Sequence, residues 1–141
     1  MAIIMDRAAL TAFLADQFGQ VAADFEVEAV DEDRLTLRLI VDGRHLRPGG
    51  TVSGPTIFAL ADVAVYLAIL ARIGPVALAV TTNASIDFLR KPAAGVDLLA
   101  EARILKLGRV LAVGDVLIRS RGAPEPVARA SMTYSIPPAR G

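Results

Sequence analysis

The chain has 141 residues, 54% of them apolar, enough for one domain with a sizeable core and too many for a disordered chain. Its 15 basic and 15 acidic residues cancel, which leaves no electrostatic basis for binding nucleic acid or an anionic membrane surface. With no cysteine and one histidine, disulfides, thiolate metal sites and multi-histidine zinc sites are excluded.

The opening MAIIMDRAAL carries acidic Asp6 and no extended apolar core before it, unlike a secretory signal, so a cytoplasmic location is expected. Over residues 6–18, Leu10, Phe13, Leu14 and Phe18 recur at spacings of three and four, which predicts a short amphipathic packing helix stopped at Gly19. Residues 24–30 alternate, with Phe25, Val27 and Ala29 on one face and Asp24, Glu26 and Glu28 on the other. Residues 34–41 alternate again, with Leu35, Leu37 and Leu39 inward. Joined by the polar turn Asp31-Glu32-Asp33, the two segments predict an antiparallel hairpin. A loop rich in Gly and Pro follows over 42–53, holding Arg44, Arg47 and the lone His45, which is expected to be solvated.

The loop feeds Gly54–Ala71, eighteen residues with a single charge, Asp62. Ser53 is placed to cap the first turn, and Pro55 suits that turn because its missing N–H would find no partner there anyway. The Ala- and Leu-rich interior favours a helix that is apolar all round and therefore buried. The stretch nears the length of a membrane span, but Pro55, Asp62 and the strand-like flanks argue against one. A carboxylate in such a helix must be paired, hydrogen-bonded or put to work, and nothing within the helix pairs with it.

Strand patterns then run to the end, over 76–89, 96–107, 110–119 and 127–136. In the first, Ala84, Ile86 and Phe88 alternate against Asn83, Ser85 and Asp87. Gly108-Arg109 makes a turn, Gly114 reads as a bulge, and Pro137-Pro138 ends the last strand. Short connections predict antiparallel pairing of these four strands. A curved antiparallel sheet wrapped round the apolar helix gives that helix cover, as a single α+β domain spanning 1–141.

This order resembles the hotdog fold, and the local sequence is similar to the PaaI-like acyl-CoA thioesterases. Leu60-Ala61-Asp62 matches that family's helical triplet, and Ser53-Gly54-Pro55 stands where its His-Gly-Gly is expected, nine residues before Asp62. Phe88-Leu89-Arg90-Lys91-Pro92 with Gly95, and the Gly108-Arg109 turn, resemble the family too. The resemblance implies hydrolysis of an acyl- or aryl-CoA thioester, with no cofactor or metal. Asp62 would be nucleophile or general base, and the Gly54 amide behind Ser53 would polarise the carbonyl, an effect of about 3 kcal/mol per donor. His45, Arg47, Tyr66 and Asn83 are candidate substrate contacts, with Tyr66 one turn from Asp62 and in reach of its carboxylate. Arg90, Lys91, Gly108 and Arg109 are candidates for binding coenzyme A. The resemblance further implies a homodimer or dimer of dimers with each site shared between two subunits, and no nucleic-acid or membrane partner. Ser53 in place of the motif's His leaves open an alternative: a non-catalytic protein that binds acyl-CoA or a lipid-like ligand.

Overall fold

The computed structural model describes residues 2–138. Its elements in chain order are α1 (Arg7–Gln17), β1 (Phe25–Val30), β2 (Leu35–Leu39), α2 (Gly54–Ile73), β3 (Val80–Phe88), β4 (Leu98–Leu107), β5 (Leu111–Ser120) and β6 (Pro126–Ser135). Single 3₁₀ turns precede β1 (Ala22–Asp24) and α2 (Gly43–His45). The six strands form one antiparallel sheet in the order β1-β2-β4-β5-β6-β3, packed round α2: the hotdog fold.

The hairpin closes as its sequence demands. Asp31 Oδ1 accepts the amides of Asp33 and Arg34, both at 2.9 Å, which fixes the turn between β1 and β2. In β2, Leu35, Leu37 and Leu39 all face the core. In β1 the alternation slips: a bulge between Val27 and Ala29 turns Ala29 outward and brings Val30 partly inward.

Strand adjacency departs from the sequence reading at one place. β4, β5 and β6 pair in succession, but β3 does not pair with β4. The segment 89–97 crosses the sheet instead, so that β3 pairs with β6 and becomes an edge. That position explains why the expected alternation in β3 fails: only Thr81 and Ile86 are half-buried, while Ala84 and Phe88 are exposed.

Gly114 does not form a bulge. The bulge lies opposite, in β4 between Ile104 and Lys106. Gly114 is instead where the sheet touches α2, since a Cβ there would stand 2.6 Å from a Val65 methyl and 3.3 Å from the Arg103 carbonyl.

The helices follow their signals. Asp6 caps α1 by accepting the Ala9 amide at 2.9 Å, and Leu10, Phe13 and Leu14 are buried. Ser53 caps α2, and Pro55 sits in its first turn. By length and composition α2 could cross a membrane, but 67% of its most apolar window is buried within the protein. The cover is uneven. From Ala64 to Ala71 nothing exceeds 5% exposure, whereas Pro55 and Ala59 are exposed and Asp62 and Val63 half-exposed. The expectation of cover on every side therefore holds only for the C-terminal half, and Asp62 lies where the cover ends. Arg72, buried in the last turn, donates to the carbonyls of Ala68 and Glu32, tying α2 to the β1–β2 turn.

His45 is not solvated: it is 6% exposed. Its Nδ1 accepts the Asp42 amide at 2.9 Å, and its Nε2 faces Asp24 Oδ2 at 3.4 Å, an ion-pair distance without a formed hydrogen bond. Arg44 closes on the same carboxylate, and its guanidinium holds Asp24 below the usual carboxylate range although burial pushes the other way. Because the folded pKa is depressed, Asp24 stabilises the fold above its unfolded value of about 3.9. That contribution is lost as pH falls through the folded pKa. Asp24→Asn is accordingly expected to cost about 1–2 kcal/mol at pH 7 in urea denaturation. At pH 3 the gap between variant and wild type should shrink, and a gap unchanged with pH would contradict this account.

Candidate active site

Asp62 is held from the sheet. Its Oδ1 accepts the Thr81 hydroxyl at 2.7 Å and the Tyr134 hydroxyl at 2.6 Å. These donors are a cross-strand pair, Thr81 of β3 lying opposite Tyr134 of β6. The Tyr134 oxygen also sits 3.0 Å from the Asp62 carbonyl, so it grips both the side chain and the backbone of one helical residue. Two donors saturate Oδ1, while Oδ2 has no hydrogen-bond partner among the described residues. Burial first, then the adjoining Asp62 carboxylate, push the Tyr134 pKa far above its ordinary value. Tyr134 is therefore a fixed donor at neutral pH rather than an acid or base.

Tyr66 does not bond the carboxylate. Its hydroxyl donates to the Ala77 carbonyl at 3.0 Å, in the connection to β3. Burial raises its pKa as well. Its ring nonetheless lines the same cavity as Asp62, a space of about 350 Å³ that also involves Phe18, Val63, Val80 and Tyr134.

Gly54 borders a different space. It opens α2, so its N–H has no acceptor within the helix, and no carbonyl of the preceding loop takes it. The amide lies beside a groove of about 420 Å³ whose walls include Arg47, Val52, Phe88, Arg90 and Lys91. Phe88 packs directly on Gly54, where a Cβ would meet its ring at 3.4 Å. Gly54 and Asp62 are thus about 12 Å apart along α2 at 1.5 Å per residue, facing separate cavities of one chain.

The other expected residues divide in the same way. Ser53 is occupied as a cap: its Oγ accepts the Thr56 amide at 3.3 Å and donates to Thr56 Oγ1 at 2.9 Å. Its N–H donates to the His45 carbonyl at 2.9 Å, so His45 positions the start of α2 but lines neither cavity. Arg47, Arg90 and Lys91 meet at the Gly54 groove. Gly108 and Arg109 lie at the far end of β4, about 30 Å away at 3.3 Å per residue, so one chain does not bring both sets together. Asn83 is exposed on the β3 edge, because a bulge after Thr81 turns it outward.

Thr81 and Tyr134 escaped the sequence reading. Neither has a motif, and their meeting with Asp62 depends on a strand pairing across 53 residues. The available signal was Tyr134 itself, a polar-tipped ring in an inward-facing strand, which needs a partner when buried.

The sequence profile of the thioesterase superfamily matches residues 49–127, more than half of the chain. A protein of Silicibacter sp. TM1040, provisionally named a thioesterase, is 58% identical, with 98% of this chain and 96% of that one covered at a TM-score of 0.92. A mutant structure of the phenylacetic acid degradation protein PaaI from Thermus thermophilus is 29% identical, covering 84% of this chain and 99% of that one, with a TM-score of 0.72. A hypothetical thioesterase of Streptococcus pneumoniae, solved with coenzyme A, shares the fold at 23% identity and a TM-score of 0.70, covering 83% of this chain and 91% of that one. No curated protein matches the sequence. Taken with the sheet, the central helix and its carboxylate, the profile match and the 58% identity establish that the chain belongs to the thioesterase superfamily, among its PaaI-like members.

Proposed function

We propose that the protein hydrolyses an acyl-CoA thioester to a free acid and coenzyme A, in a site completed by a second copy. The observation that carries this reading is the state of Asp62: Oδ1 is anchored by two hydroxyls and Oδ2 is left to act in a largely apolar cavity. Oδ2 takes a proton from water as the water oxygen adds to the thioester carbonyl. A backbone N–H at the start of α2 receives the developing oxyanion, aided by the helix dipole. Collapse breaks the C–S bond, and the proton held by Asp62 passes to the departing thiolate. Arg47, Arg90 and Lys91 suit the phosphates of coenzyme A. The Streptococcus pneumoniae relative solved with coenzyme A supports a ligand of that kind.

What one copy leaves uncovered supports the second copy. β3 is an open edge with Val80 and Phe88 more than half exposed, and the N-terminal half of α2 beside it is only partly covered, with Pro55 and Ala59 exposed. Gly54 sits at the Phe88 end of β3, and Asp62 at its Thr81 end. A two-fold axis pairing β3 antiparallel with its copy exchanges these ends. Asp62 then lies near the partner's Gly54, and the partner's Arg90 and Lys91 approach the Gly108-Arg109 turn.

Thiol release from a panel of acyl- and aryl-CoAs tests the activity, and no release from any of them would end the proposal. Mixing two inactive variants, Asp62→Asn and Gly54→Pro, tests the shared site. Random reassembly leaves one sound site in each mixed dimer, so roughly a quarter of wild-type activity should return. No recovery on subunit exchange means that both groups act within one copy. The cap geometry favours one rival: the Ser53 hydroxyl is spent on Thr56, so nothing replaces the family's His, and a binding protein without turnover would show saturable thermal stabilisation by acyl-CoA and no thiol.

A further inference from the structure

One buried imidazole takes no part in the chemistry above. His45 stands at the base of a small hairpin, residues 46–52, which gives the groove beside Gly54 three of its walls, Arg47, Thr51 and Val52. The hairpin is closed on itself. Leu46 bridges Val52, the Arg47 amide donates to the Thr51 carbonyl at 2.9 Å, and the Gly50 amide donates to the Arg47 carbonyl at 3.0 Å. Among the described residues, no hydrogen bond ties 46–52 to a strand or to α2. The hairpin is therefore seated from its base. There the Ser53 amide donates to the His45 carbonyl, and His45 and Val52 are the buried side chains of the loop 42–52. The His45 ring is fixed on two sides. Nδ1 accepts the Asp42 amide, so the neutral ring carries its proton on Nε2, the nitrogen that faces Asp24. Asp24 belongs to the sheet end: its carbonyl accepts the Ile40 amide at 2.8 Å, and Arg44 closes over its carboxylate.

Resting on the coenzyme A site of the thioester-hydrolase reading, we propose that His45 is a positioning residue: wedged between the Asp42 amide and Asp24, it seats the 46–52 hairpin so that Arg47 meets the ligand's phosphates. It touches no ligand itself, since it lines neither cavity. Arg47 has no hydrogen-bond or ion-pair partner among the described residues, so nothing but the hairpin's seat directs its guanidinium at the groove. A hairpin held in place before binding spares the ligand the cost of ordering it. Once loosened, it is competent for only part of the time, and affinity falls by that fraction.

The test is the Kd of coenzyme A, measured by calorimetry below the melting range, for wild type, Arg47→Ala, His45→Leu, His45→Asn and the double variant Arg47→Ala/His45→Leu. Arg47→Ala should raise Kd by roughly tenfold, as loss of a charge-assisted contact implies. His45→Leu should raise it by roughly fivefold or more. His45→Asn keeps an oxygen near the Nδ1 position for the Asp42 amide and should restore binding to within about twofold of wild type. If His45 acts through Arg47, adding His45→Leu to Arg47→Ala should change Kd by less than about twofold. Gly114→Ala, a destabilising change outside the groove lining, should leave Kd unmoved and so separates seating from stability. Wild-type affinity in His45→Leu, or additive effects in the double variant, overturns the inference. A wild type that binds no coenzyme A overturns it together with the site it rests on, whereas one that binds but releases no thiol from acyl-CoAs defeats the hydrolase reading alone. Should His45→Leu lack a cooperative melt, His45→Gln, which leaves no acceptor at the Nδ1 position, decides the matter by the same measurement.

Discussion

Asp62→Asn should lower kcat/KM for thioester hydrolysis by at least about a hundredfold, the usual contribution of a general base being roughly 10²–10⁴. The substitution is close to isosteric. Asn keeps an oxygen at the Oδ1 position, so the hydroxyls of Thr81 and Tyr134 keep their acceptor. What disappears is the basic Oδ2. Melting temperature should therefore hardly move while turnover collapses, and thiol release beside a thermal melt reads both. Asp62→Ala should behave differently. It strands two hydroxyls that are partly or wholly buried and costs about 1–3 kcal/mol of stability in addition to the activity. Residual turnover near wild type in Asp62→Asn would remove the carboxylate from the chemistry.

Gly114→Ala should destabilise the fold by about 3 kcal/mol, at the upper end for overpacking a core. The new methyl would lie 2.6 Å from Val65, a β-branched side chain on a helix with little rotamer freedom, and 3.3 Å from a backbone carbonyl. A loss of that size lowers the melting temperature by roughly 2–4 °C per kcal/mol. Val65→Ala clears the obstruction, so the double variant should recover part of the loss, a coupling that a double-mutant cycle measures. Gly43→Ala is the control: nothing stands within 4 Å of its added Cβ, and it should stay within about 0.5 kcal/mol of wild type. Additive effects at Gly114 and Val65 would show that the close approach is not the cause.

The fold was legible because its signals are local. Leucines at every second position of β2, an Asx turn at Asp31, and Ser53-Gly54-Pro55 before a long, almost wholly apolar run each act within a few residues. Asp62 stood out for a similar reason, as one charge in eighteen residues. What stayed hidden depends on distant partners. His45 looks like a loop residue until Asp24, from the segment before β1, is found against it. The strands after α2 read as a simple meander, but the edge position of β3 is set by pairing with β6. That same pairing brings Thr81 and Tyr134 to Asp62. Tyr66, chosen by helical spacing, reaches the cavity while its hydroxyl points to Ala77, since spacing along a helix fixes the face and not the rotamer. Gly114 carried a signal of close approach that, without α2 in view, read equally well as a bulge.

The pairing of β3 with β6 also bears on biosynthesis. A ribosome delivers β3 long before the strand that must lie against it, so β3 and the flank of α2 wait unpaired while β4, β5 and the turns between them emerge. Chains halted before Pro126 would expose an unsatisfied strand and lack the tyrosine that holds Asp62, which makes them prone to clump together. The setting of Asp62 is complete only once β6 has been made.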